Sequence, residues 1–212
     1  MLGVGGCHSS PSSSTPPPGP LEGRVVLRSN GDYQRAQTAA RTMFHDAFQR
    51  YDAGIPLTQA DRTNLLRGAR LCAAMTDYLP LQAKPDFACG QALAALGYHD
   101  EAIRRFKLFL AQVSESPSDD ALKVMRADAY GLLSVSFIAT HDDKAALDAA
   151  NVALKAYPNT ATYLNDRAAA EIQLGDMKAA KTDLTQAVGA SAPDDPARAK
   201  SQSMLKALGT KH

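Results

Sequence analysis

Tryptophan is absent from this 212-residue chain, aromatic residues make up 6% of it, and cysteine occurs only three times. With so few large rings, a core has to be made from small and aliphatic side chains. The Ala and Leu that crowd the second half suit helices packed at close range. Neither sign of charge is in excess: 23 Lys and Arg against 22 Asp and Glu leave a net charge of +1, with no global pull toward nucleic acid or anionic lipid. There is no C-x-x-C and no Cys/His pattern with ligand spacing, so a structural zinc site is not expected. Nucleophile elbow, P-loop, H-E-x-x-H and dinucleotide fingerprints are all missing as well. No catalytic residue, metal or cofactor is therefore assigned, and the chain is not expected to be an enzyme. An enzyme or ligand-binding domain remains a distant alternative.

Two short polar clusters invite a chemical reading and have a simpler one. His99-Asp100-Glu101 and His141-Asp142-Asp143 fall in turns between helical patterns, where Asp100 and Asp142 suit the N-cap position of the helix that follows. Arg104, Arg105 and Lys107 have no interleaved aromatics and read as a solvated helix face. His45 beside Asp46 sits on a core-forming helix and reads as an exposed or satisfied histidine.

Residues 1–30 differ from all that follows. Between Ser9 and Pro20 the chain reads SSPSSSTPPPGP, which has almost nothing apolar to bury and several prolines that remove backbone donors. A disordered tether is expected there. Just before it, Val4-Gly5-Gly6-Cys7 resembles a bacterial lipobox, which implies lipidation at Cys7 and a lipid anchor on the periplasmic face of a membrane. Only six residues precede Cys7, without the basic and apolar regions of an export signal. The other reading is a tail with an incidental cysteine on a cytoplasmic protein. Cys72 and Cys89 fall on successive predicted helices at similar distances from the connecting turn, so they either pair as a disulfide or are two small buried residues.

From Asp32 onward the argument rests on repetition. The segments starting at Leu96, Thr140 and Leu174 align without gaps, each a break followed by an apolar helix. Ala102, Ala146 and Ala180 share one position; the first two are 44 residues apart and the last two 34. Twelve residues before each stands a small residue, Gly90, Ser134 or Ala168, so paired helices can cross with their backbones close at both positions.

A 34-residue period with these small residues resembles the tetratricopeptide repeat family. Tyr130 fits the early aromatic of a repeat, Phe106 the aromatic of the second helix and Pro158 the closing proline; Ala150, Leu184 and Ser114 depart from the pattern. The ten-residue excess between the first two units, around Pro117, looks like the long repeats of outer-membrane assembly lipoproteins, and is expected to lengthen two helices. The resemblance implies an all-α, right-handed solenoid of helical hairpins. In this reading residues 31–83 form a divergent N-terminal hairpin, 84–194 three repeats, and 195–212 a capping helix and tail.

The resemblance also implies a role. The chain would hold another protein, through an extended segment or amphipathic helix of that partner, on a concave face lined by the first helix of each repeat. Carried over residue by residue, the lining is Lys84, Phe87 and Gln91, then Gly131, Val135 and Ile138, then Thr162, Asn165, Ala169 and Gln173. Phe87, Val135 and Ile138 would be the anchors. The few cations there, with Asp166 opposing them, do not suit a carboxylate clamp. Two settings are open: a membrane-tethered lipoprotein assisting assembly of an envelope or secretion complex, or a soluble adaptor or secretion chaperone.

Overall fold

A computed structural model describes residues 19–23, 25–114 and 117–209. Cys7, the lipobox-like run and most of the Ser/Pro stretch lie outside the described residues. The described chain is an all-α helical-repeat solenoid. Its hairpins are α1 (Asn30–Asp52) with α2 (Gln59–Tyr78), α3 (Ala83–Leu96) with α4 (His99–Gln112), α5 (Asp120–Ala139) with α6 (Asp143–Ala156), and α7 (Ala161–Leu174) with α8 (Met177–Ala190); α9 (Pro196–Gly209) closes the stack. Each helix packs on the next in chain order, and a second set of contacts joins α3 to α5, α5 to α7 and α7 to α9. The first helices of the hairpins therefore form one layer, and α9 takes the place of the next member. Among the described residues no helix is long and apolar enough to cross a membrane.

Local chemistry sets the ends of these helices. Thr58 and Asp61 form a reciprocal capping box at the start of α2, and Asp119, Asp142 and Asp176 accept backbone N–H bonds at the starts of α5, α6 and α8. Asp100 is not a cap. Gly97 ends α3 in the left-handed region, so α4 begins at once behind Tyr98, and Asp100 lies inside its first turn, where its charge still favours the helix dipole. The excess between the first two units lengthens one helix, not two. α5 has 20 residues while α4 keeps 14, and the remainder goes into the connecting loop around Pro117.

The hairpin seam follows from small residues. Gly90 with Ala102, Ser134 with Ala146, and Ala168 with Ala180 are all buried. A Cβ at Gly90 would stand 2.7 Å from Phe106 Cε1, and one at Gly68 would stand 2.3 Å from Phe44 Cε1. At both points a phenyl ring lies on bare backbone. Ala146 and Ala180 have no exposed surface, so Ala146→Leu or Ala180→Leu should destabilise the fold by roughly 1–3 kcal/mol through overpacking. Thermal melts of both variants check this, and unchanged midpoints would mean that the register is wrong.

One buried charge is shared by three helices. Asp86 on α3 is fully buried; its carboxylate accepts from Arg105 Nη1 on α4 at 3.1 Å, Thr76 Oγ1 on α2 at 3.1 Å and Gln112 Nε2 at 3.2 Å. Arg105 is itself buried and also lies 3.5 Å from Glu101. Arg105 is thus part of this internal network rather than of a solvated face, because its position on α4 turns it toward α3 while Arg104 and Lys107 stay exposed.

Cys72 and Cys89 are buried thiols, not a disulfide. Each fills a tight site in the α2–α3 packing: Cys89 Sγ donates to the Ala69 carbonyl at 3.4 Å, and burial pushes the Cys72 thiol far above the ordinary range.

Candidate functional site

The layer of first helices opens between α1 and α3, where the two helices lean on α2 instead of on each other. A cleft of about 410 Å³ lies there. Its floor is Ala40 and Phe44 of α1 with Cys72 and Met75 of α2. Phe48 forms one wall, and Pro85 and Ala88 of α3 the other. The rings of Phe44 and Phe48, one helical turn apart, stack with centroids 5.0 Å apart and give the cleft an aromatic side. Gln37, Arg41 and His45 edge it from α1, Lys84 and Gln91 from α3.

The rim is cationic. Arg41 and Lys84 are exposed and make no ion pair among the described residues, and no carboxylate lines the cleft. His45 is exposed at the rim with its Nδ1 2.8 Å from Asp46 Oδ1. An apolar trough with positive edges can hold an apolar side-chain row flanked by carboxylates.

Of the ten residues expected to line the groove, Lys84 and Gln91 border this cleft. Phe87 does not. Its side chain is buried in the core, with its ring 6.1 Å from Phe106 and 5.2 Å from Phe109. Gly131 is buried where α5 and α7 approach: a Cβ there would stand 3.1 Å from Tyr163 Cδ1. Asn165 is also in the interior, because α9 packs on α7. Its Nδ2 donates to the Ala197 carbonyl at 2.9 Å, and its Oδ1 accepts from Ser201 Oγ at 2.7 Å. Val135, Ile138 and Ala169 are half-buried, and Thr162 and Gln173 are exposed.

Asp166, beside Asn165, is buried with Lys200 Nζ 3.4 Å away. Burial raises its carboxyl to about 6, and the Lys200 ammonium limits the rise. Tyr163 Oη donates to Asp128 Oδ1 at 2.6 Å nearby. The α7 end of the layer is therefore filled by its own polar contacts and by α9, while the α1–α3 end stays open. The residues that build the open end, Phe44 and Phe48, carried a signal in the sequence: the apolar stripe of α1 spans Ala36, Ala39, Ala40, Met43, Phe44, Ala47 and Phe48, wider than one neighbour needs.

Stacked hairpins, a layer made of their first helices and a closing helix define an all-α repeat protein of tetratricopeptide-like build. No protein-family model matches the chain, and no curated protein matches it. Among solved structures, that described as MamA MSR-1 C2, a tetratricopeptide-containing protein, is similar over 76% of this chain and 92% of its own, with 16% identity and a TM-score of 0.51. MamA 41-end from Desulfovibrio magneticus RS-1 and the MamA RS-1 ArsTM double mutant each share 15% identity over 72% of this chain and 94% of theirs, with TM-scores of 0.29, too low to bear on the fold. The first likeness supports the repeat fold.

Proposed function

We propose that this chain is a protein-binding scaffold, without catalysis, whose α1–α3 cleft receives the apolar face of an amphipathic helix from a partner protein. The observation that carries this is the open cleft of about 410 Å³ with Phe48 on its wall and exposed Arg41 and Lys84 on its rim. That volume lies within the roughly 300–1,000 Å³ range of ligand pockets. A helix laid between two helices buries anchors at i, i+3 and i+4. Half-buried Val135, Ile138 and Ala169 extend the contact along α5 and α7. Affinity would come from apolar burial, at roughly 25 cal/mol per Å², with the rim cations selecting carboxylates on the helix flanks.

The test is capture of a partner by the folded chain and by Phe48→Glu. The variant places a charge in the apolar wall and should lose at least about tenfold in affinity. Circular dichroism should show unchanged helix content, because Phe48 is only half-buried. Equal capture by a folded Phe48→Glu protein would refute the cleft.

The setting proposed for this scaffold is the periplasmic face of a bacterial membrane, anchored by a lipid on Cys7 and assisting assembly of an envelope or secretion complex. Its support is the run Val4-Gly5-Gly6-Cys7 followed by the Ser/Pro stretch. A single acyl chain binds membranes weakly and a lipoprotein anchor carries more than one, so fractionation should be decisive. Fatty-acid labelling of the product expressed from its full gene should mark the wild type and leave Cys7→Ser unlabelled and soluble. An unlabelled, fully soluble wild type would point to the cytoplasmic adaptor instead.

A further inference from the structure

The longest departure from the repeat builds a second surface on the other layer of the solenoid. α5 has 20 residues where α7 has 14, and the gapless alignment sets Ala127 opposite Ala161. Everything on α5 before Ala127, including Lys123 and Arg126, is thus extension beyond the repeat. The extension stands past the end of α4 and, with Pro117 and the last turns of α6, encloses a cavity of about 410 Å³. A second cavity of about 530 Å³ runs on between α4 and α6, floored by Leu133 and Phe137 of α5. The two share Tyr130 and Val152, so they form one groove between second helices of neighbouring hairpins, away from the α1–α3 cleft.

The chemistry of this groove is aromatic and cationic. Arg126 lies over the Tyr130 ring with its guanidinium carbon 5.1 Å from the centroid, and Lys107 Nζ stands 5.4 Å over the Phe137 ring. Neither cation makes an ion pair among the described residues, whereas Lys123 is held by Asp120 at 2.7 Å. The Arg126 guanidinium is half-sealed: Nη2 reaches the Tyr130 hydroxyl at 3.5 Å, and Nε is buried with no hydrogen-bond partner among the described residues. Asp148 is the one carboxylate lining the groove, and Val152 is 36% exposed at its centre.

We infer that this α4–α5–α6 groove is a second protein-docking surface, taking a peptide segment in which an Asp or Glu reaches Arg126 and adjacent apolar side chains lie along Tyr130, Val152 and Phe137. Charge complementarity selects the occupant: ring-stacked cations that no carboxylate pairs among the described residues call for an acidic side chain, and the aromatic floor calls for apolar neighbours. The inference is independent of the α1–α3 cleft. A scaffold with docking sites on both layers would bridge two segments at once, and the second site raises the effective concentration of whatever the first holds.

The test pans a displayed library of random dodecapeptides against the immobilised full chain and measures each recovered peptide on four proteins: wild type, Arg126→Gln, Val152→Glu and Phe48→Glu. A class of peptides with Asp or Glu beside Leu, Phe or Tyr should emerge, weakened at least about tenfold by Arg126→Gln and by Val152→Glu but not by Phe48→Glu. Val152 is exposed enough that its substitution leaves the fold intact, as circular dichroism would verify. The inference is overturned if no recovered peptide depends on Arg126 or Val152, or if the Arg126-dependent peptides carry no acidic residue. Peptides lost only in Phe48→Glu would support the concave cleft and overturn this groove.

Discussion

Asp86→Ala should lower the stability of the folded chain by about 3–5 kcal/mol, close to what a domain of this size has to spare. The reason lies less in the three bonds that Asp86 accepts than in what the substitution strands. Arg105 would remain charged and buried with only Glu101, 3.5 Å from its Nε, to answer it, and Gln112 Nε2 would lose the acceptor it has in Asp86. Removing one member of a buried pair exposes the desolvation cost of the other. The double variant Asp86→Leu, Arg105→Met should recover most of the loss, since two apolar side chains of similar volume ask for no partner. Urea titrations of the three proteins measure both effects. A loss under about 1 kcal/mol for Asp86→Ala would mean that water reaches Arg105 and that the network is not sealed.

Phe87→Ala is expected to cost about 3–5 kcal/mol as well, and to leave partner capture unchanged in whatever fraction stays folded. Its ring touches Phe106 and Phe109, which have no exposed surface, so truncation opens a cavity at the centre of the α3–α4 hairpin. The surroundings have little room to collapse into it, since Phe106 is already held against the bare backbone of Gly90. Thermal denaturation followed by circular dichroism gives the first quantity, and capture at a temperature well below the midpoint gives the second. A small stability loss joined to lost capture would restore Phe87 to the binding face. This pairing separates core from groove at a position where helical periodicity could not.

The hairpins were legible because their signals are local. Thr58 before a helical pattern, Asp119 and Asp142 at helix starts, and the breaks at Gly97 and Gly175 act within a turn of their own position. The seam was legible because a close crossing admits only small side chains, and the recurrence of Gly90, Ser134 and Ala168 reports it. Asp100 was misplaced by two residues: Gly97 ends α3 and α4 follows behind Tyr98 with almost no connection, which composition alone does not reveal. Phe87, Gly131 and Asn165 were assigned to the groove by repeat register, and the register holds for the backbone. Their side chains are turned inward by neighbours that the register does not contain: the rings of α4, Tyr163 of α7, and α9 bonded to Asn165.

The sequence by itself determined that this chain is a stack of α-helical hairpins, where most of the helices begin, and which residues meet at each crossing. Those features depend on capping, on 3.6-residue periodicity and on side-chain size, all of which are written within a few turns of chain. Only the tertiary structure decided which parts of an apolar stripe stay uncovered. Phe44 and Phe48 lie on the same helix at the same spacing as true core residues, yet one floors an open cleft and the other walls it, because α1 and α3 stand apart on α2. Likewise Lys107 reads as an ordinary solvated charge until the packing of α4 against α5 sets it over Phe137. Whether an apolar or charged face is covered depends on the spacing between helices far apart in the chain, and no local pattern encodes that distance.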